Sequence, residues 1–234
     1  MNLRKVSYLA LIMAVVFPTL LLLKPHLERT RLGSPGGNVT LLPEPKLTGE
    51  VSVEEAIARR RSVREYRDEP ITLEQLSQLL WAAQGITDWK RKYRSAPSAG
   101  PTYPFEVYVV AGNVEGLKPG VYIYDPFKHA LREVKPGDYR KELEKAALDQ
   151  DWVGRAAVDI VLVAFYERTT RVYGERGIRY VHMEAGHIGE NIYLEATALG
   201  LGTVAVGAFD DERVAEILGT SGSPLYIFPV GVPR

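Results

Sequence analysis

The segment Val6–Leu23 carries no charged side chain and is interrupted only by Ser7, Pro18 and Thr19. As a helix it would be about 27 Å long, close to the hydrocarbon thickness of a bilayer. A helix that is apolar on every face cannot sit half-exposed on a soluble body, so this segment divides the chain into parts with different solvents. Arg4 and Lys5 precede it as in a signal sequence, and the following Leu20-Leu21-Leu22-Leu23-Lys24-Pro25-His26 offers no small-x-small cleavage site. Residues 1–23 are expected to form an uncleaved signal anchor or transmembrane helix; a cleaved signal peptide and a buried core helix are the alternatives. Arg4 and Lys5 are set against Lys24, Arg29 and Arg31 on the far side. The expected arrangement is a cytoplasmic amino terminus and an extracytoplasmic body held at the membrane.

Residues 24–50 contain Pro25, Pro35, Pro43 and Pro45 with Gly33, Gly36, Gly37 and Gly49. Such a stretch excludes a long helix or a central strand and reads as a Pro/Gly-rich tether. The body is expected over residues 51–234. Ser52-Val53-Glu54-Glu55 and Thr72-Leu73-Glu74-Gln75 are capping boxes that open two helices. Strands are expected at Glu106–Ala111, Val121–Tyr124, Leu131–Val134, Val158–Phe165, Thr203–Val206 and Tyr226–Val230. Further helices are expected at Tyr139–Leu148, Ile178–Leu199, stopped by Gly200, and Asp211–Leu218. Strands and helices without regular alternation imply an α+β fold, a mixed or antiparallel sheet flanked by helices.

Several chemistries are excluded by residue type. There is no Cys, hence no disulfide, thiolate metal site or Cys nucleophile. Twenty-nine Lys+Arg balance 29 Asp+Glu, which argues against a nucleic-acid binder. No Gly-x-Ser-x-Gly elbow surrounds Ser62, Ser95 or Ser98. His182, Glu184, His187, Glu190 and Glu195 share the long helix, and Glu184 and His187 have the spacing of a di-iron ligand pair. No second copy exists, so no metal is expected. Gly200-Leu201-Gly202-Thr203 follows a helix and enters a strand, the reverse of a dinucleotide fingerprint. What remains is Arg59-Arg60-Arg61-Ser62-Val63-Arg64, whose guanidinium forks suit phosphate and carbonyl oxygens, or else simply complement the end of a helix. Pro97-Ser98-Ala99-Gly100 offers small residues for close approach of a flat ligand, or only a tight loop.

Taken together, Arg60-Arg61-Ser62-Val63-Arg64-Glu65-Tyr66, Pro97 to Glu106, Tyr173 to Tyr180 running into Glu184-Ala185-Gly186-His187-Ile188-Gly189-Glu190-Asn191, and Ala198 to Phe209 resemble the flavin-dependent nitroreductase family. The closest branch is that of the SagB/ThcOx-type dehydrogenases, and the resemblance spans Val51 to Val232. It implies a nitroreductase-like fold, FMN as cofactor and a homodimer with FMN at the interface. Arg60, Arg61, Ser62 and Arg64 would hold the phosphate and ribityl chain, with Arg234 in place of a C-terminal Lys/Arg pair. Pro97, Ser98, Ala99 and Gly100 would come from the other subunit, and Val206, Gly207 and Ala208 would lie against the ring. Tyr173, Arg176 and Tyr180 are the substrate-side candidates. Azoline-oxidising members carry a Lys-Tyr pair where this chain has Val172-Tyr173. The implied activity is hydride transfer from NAD(P)H or another donor, through flavin N5, to or from a nitro compound, quinone or heterocycle. A tethered flavin-binding protein without turnover is the alternative. Because the cofactor carries the chemistry, no side-chain nucleophile is required.

Overall fold

The computed structural model describes residues 38–234. The expected anchor, and the first part of the expected tether, lie outside the described residues. Among the described residues, no helix is long and apolar enough to cross a membrane.

A seven-stranded sheet organises the body, in the order β1-β6-β5-β4-β7-β9-β8. Its strands are β1 (Val39–Leu41), β4 (Phe105–Ala111), β5 (Gly120–Asp125), β6 (Ala130–Pro136), β7 (Val158–Ala164), β8 (Gly202–Thr203) and β9 (Ser223–Gly231). Every ladder in it is antiparallel, which settles the expected choice between mixed and antiparallel. A separate hairpin joins β2 (Ile86–Asp88) to β3 (Tyr93–Arg94). Strand β7 is the continuous apolar run seen in the sequence; all of its residues are buried because helices cover both faces.

Alternation along β7 separates two cores. Ile160 and Leu162 face the layer of α2 (Leu73–Gln84) and α6 (Arg176–Ala198), where they meet Leu76, Leu79, Leu80, Ile188 and Ile192. Val161 and Val163 face α3 (Arg140–Ala146), α4 (Asp151–Arg155) and α7 (Asp211–Leu218), among Leu143, Val153, Val214 and Leu218. The capping boxes act as expected: Ser52 Oγ accepts from the Glu55 N–H at the start of α1 (Val53–Arg59), and Thr72 and Gln75 cap α2 reciprocally. On α6 the buried positions Val181, Ala185, Ile188 and Ile192 recur at helical spacing. Gly189 lets this helix close on the sheet, since a Cβ there would fall 2.8 Å from the Phe228 ring.

Two expectations need correction. The body does not begin at Val51: β1 pairs with β6, Leu42 is buried, and Lys46 is held by Gln78 at 2.9 Å and 3.0 Å. Between Gly37 and Pro43 the run Asn38-Val39-Thr40-Leu41-Leu42 contains no breaker, and an edge strand tolerates the prolines that flank it. The strand expected at Thr203–Val206 is shorter, because the Ala205 N–H donates to the Tyr193 hydroxyl at 2.8 Å instead of to a strand. Val206 returns to β9 by a lone bridge to Ile227. Helices α4 and α5 (Glu167–Tyr173) and the β2–β3 hairpin carried no expectation.

Candidate functional site

The arginine segment leaves α1 at Arg60, where the backbone turns from helical to extended. It then runs along the end of the sheet. Ser62 bridges Thr203, the Val63 N–H donates to Thr203 O at 2.9 Å, and the Arg67 N–H donates to Val232 O at 2.8 Å. Buried Tyr66 fixes the strip by donating to the carbonyls of Val63 and Pro229, at 2.8 Å and 3.1 Å. The chain terminus joins the same strip: Tyr66 bridges Pro233, and the Arg234 N–H donates to Glu65 O at 3.2 Å. Arg60, Arg61, Ser62, Arg64 and Arg234 therefore come together on one edge.

The guanidinium groups of Arg60 and Arg64 are placed without being consumed. Arg60 lies 5.2 Å over the Tyr193 ring, and Arg64 lies 5.6 Å over the Trp152 ring. Arg61 donates to the carbonyls of Ala58 and Arg60. None of the three pairs with a carboxylate among the described residues. Stacked arginines retain in-plane donors for an oxyanion, so the arrangement suits a phosphate.

Tyr193 on α6 ties this edge to the turn Val206-Gly207-Ala208. Its hydroxyl shares a 2.9 Å hydrogen bond with Ser62 Oγ and accepts from the Ala205 N–H at 2.8 Å. Gly207 and Ala208 are exposed, and Gln150 Nε2 donates to Ala208 O at 2.8 Å. The result is an open patch of small residues next to the arginines, where a flat ring can lie. Tyr193, Gln150 and Trp152 were not expected at the site, and nothing local marks them: Ser62 and Tyr193 are 131 positions apart.

Pro97, Ser98, Ala99 and Gly100 stand elsewhere in the protomer. Gly100 adopts φ +57, and a Cβ on it would fall 2.4 Å from the Tyr173 hydroxyl, so only glycine fits this close approach. Tyr173 packs edge-to-face on Tyr180, with centroids 5.2 Å apart, while Arg176 is exposed at the start of α6. The three substrate-side candidates thus share the end of α6 that carries the loop. Along α6, the loop's contact at His187 lies about 9 Å of helix rise from Tyr193. Among the described residues, no hydrogen bond or ion pair joins the loop to the arginine edge.

Behind the loop, Glu184 is only 2% exposed. Burial pushes its carboxyl up to about 7, against the opposing effects of Ser98, Arg94 and Gln84. The sequence contained a signal for it, since Glu184 falls in the core-facing stripe between Val181 and Ile188. A cavity of about 350 Å³ lies between α1, α2 and α6, lined by Trp81, Ser95, Asn191 and Glu195 among others, and shares no residue with the arginine edge. No group of three or more His, Cys, Asp or Glu suited to a metal occurs among the described residues.

Comparison with known proteins agrees with this architecture. The model of the nitroreductase family matches residues 57–232. The protein MJ1384 of Methanocaldococcus jannaschii, which carries a nitroreductase name, is 50% identical over 182 residues, covering 78% of this chain and 91% of its own. The trifolitoxin operon protein TfxC of Rhizobium leguminosarum bv. trifolii is 22% identical over 213 residues, and the match spans 83% of this chain but 60% of TfxC. A crystal structure from Ralstonia eutropha, also carrying a nitroreductase name, superposes with a TM-score of 0.73 at 31% identity, covering 84% of this chain and 90% of that one. With residues 57–232 matched by the family model and 50% identity over 182 residues to the Methanocaldococcus protein, the chain belongs to the nitroreductase family.

Proposed function

We propose that this chain is an FMN-dependent oxidoreductase, active as a homodimer, that transfers hydride between a nicotinamide donor and a small organic acceptor such as a quinone or nitro compound. Flavin-dependent oxidoreduction is the general activity of its family. The observation that carries the finer reading is the arginine edge: Arg60, Arg61 and Arg64 without carboxylate partners, joined through Tyr193 to the exposed turn at Gly207. The residues fit the cofactor. A phosphate finds guanidinium donors and the Ser62 hydroxyl, and a planar ring finds Val206, Gly207 and Ala208.

FMN, when bound, supplies a two-electron centre that accepts and returns hydride at N5. The chain's own part is to bind and orient. Arg60, Arg64 and Arg234 hold the anionic end, and the bond from Ala205 to Tyr193 keeps the turn at the distance where small residues meet a flat ring. Homodimerisation accounts for the separation of the loop from the arginine edge, because a second copy supplies Pro97–Gly100 across the interface. Tyr173, Arg176 and Tyr180 then face the acceptor. Residues 1–23, as an anchor, would keep this chemistry beside a membrane.

The test is a visible spectrum of the full-length protein purified with added FMN. A retained flavin band that is bleached by NADH or NADPH, and restored by a soluble quinone, is the expected result. Failure to retain flavin overturns the reading. Flavin that is retained but never bleached by a nicotinamide or any other biological donor identifies a binding protein without turnover.

A further inference from the structure

A carboxyl group in the core-facing stripe of a helix is costly, and it is tolerated where something uses it. Glu184 occupies such a place on α6, and its Oε1 atom has no hydrogen-bond partner. Two more buried polar atoms nearby lack partners: Gln84 Nε2 and Arg94 Nε. They form one cluster. Arg94 Nη1 donates to Gln84 Oε1 at 2.7 Å, and the side chains of Gln84 and Ser98 lie beside the Glu184 carboxyl. The Arg94 guanidinium sits 4.6 Å over the Tyr103 ring, and Ser98 Oγ accepts from the Tyr103 N–H at 3.0 Å. Arg94 makes no ion pair with Glu184; its charge is spent on Gln84 and Tyr103, so the carboxyl is left near a cation without being locked by it.

Ser98, which lies beside the carboxyl, is half-buried and belongs to the loop expected to meet the flavin site. The geometry points to Glu184 as the proton-holding residue of this site, delivering its proton through the Ser98 hydroxyl to the acceptor bound against the Pro97–Gly100 loop. This rests on the function proposed above. The balance is simple. A reduced nicotinamide gives up hydride, which carries two electrons, and the acceptor takes that hydride plus one proton. A quinone thereby becomes a hydroquinone; the Glu184 carboxylic acid becomes a carboxylate and recovers its proton from water. Burial keeps the group protonated up to about pH 7, so the proton is available at neutrality. Of the charged groups, Arg94 from β3 faces it; Tyr103 from the loop packs on that guanidinium, and Tyr180 and His187 lie one helical turn to either side on α6. His187 Nδ1 lies 3.3 Å from Pro97 O.

The experiment uses the full-length protein loaded with FMN and reduced, and follows reoxidation by a soluble benzoquinone across pH. The wild-type rate should fall as pH rises through about 7. Glu184→Gln should lose that break and be slower below it by roughly 10²-fold, while keeping its flavin. Glu184→Asp should restore a shifted break, and His187→Gln should leave the break in place. An infrared titration of the flavin-free protein supplies a readout independent of turnover. A protonated carboxyl C=O band should vanish near neutrality in the wild type and be missing in Glu184→Gln. An unchanged pH profile in a flavin-retaining Glu184→Gln protein, or a carboxyl band that vanishes near neutrality in both proteins, overturns the assignment. Loss of flavin from the wild type would instead overturn the function on which it rests.

Discussion

Arginines in two regions of this body are put to opposite uses. At the corner between β6 and α3, Arg140 spends its donors on the protein: Nε and Nη2 bind Asp138 at 2.9 Å and 2.6 Å, and Nη1 donates to Ala156 O at 2.8 Å. It lies so close to Gly112 that a Cβ there would fall 1.7 Å from Nε. Its guanidinium holds the Asp138 carboxyl below the usual carboxylate range. On the edge at α1, Arg60 and Arg64 rest on aromatic rings and meet no carboxylate. The side chain is the same, and what differs is whether the fork is filled. A filled fork stabilises the fold; a fork held in place but left open is ready for an anion that folding itself does not provide.

The comparison can be broken most directly at the open forks. Arg60→Ala combined with Arg64→Ala should lower FMN affinity by about 10²-fold or more, from the loss of two charge-assisted contacts. The unfolding midpoint of the flavin-free protein should not move; wild-type affinity in equilibrium titration would show that the phosphate lies elsewhere. Next in size, Arg140→Met should cost roughly 2–4 kcal/mol in denaturant unfolding, because Asp138 and the Ala156 carbonyl lose their partner. Its flavin affinity should stay at the wild-type value. The smallest effect is expected from Arg59→Ala, whose partner Glu55 is an exposed neighbour one turn away. About 0.5 kcal/mol or less of stability and no change in FMN binding would show that the functional run begins at Arg60.

The sequence made some of this visible and hid the rest for identifiable reasons. Ser52, Thr72 and Gly200 mark helix ends by local chemistry, and the structure uses all three: the Gly200 backbone takes φ +71, and the Leu201 N–H returns to Ala196 O at 2.8 Å. Helices α4 and α5 lack any side-chain cap bond and are too short to show a period. Strand β1 has three residues, so alternation had no length in which to appear. At the site, the arginine run and the small-residue turn could be read in one dimension. The hydroxyl of Tyr193 that connects them is a tertiary fact. For Glu184 the inward phase of the helix was legible, while the orphaned atoms around it depend on α2 and the hairpin meeting α6.

The short strand at the start of the described body bears on how this protein can be cut. Val39–Leu41 covers the outer side of β6, and the Pro43 carbonyl is gripped by Ser77 and by His129 Nε2, whose Nδ1 meets the Tyr124 hydroxyl at 2.8 Å. Trimming the chain to Val51 would bare the backbone of Ala130–Glu133 and strand the Ser77 hydroxyl and the His129 ring inside the protein. An uncovered strand of that length invites pairing between molecules. An expression boundary at or before Asn38 keeps the sheet closed, and a fragment begun at Val51 would aggregate because of the cut itself, whatever its flavin chemistry.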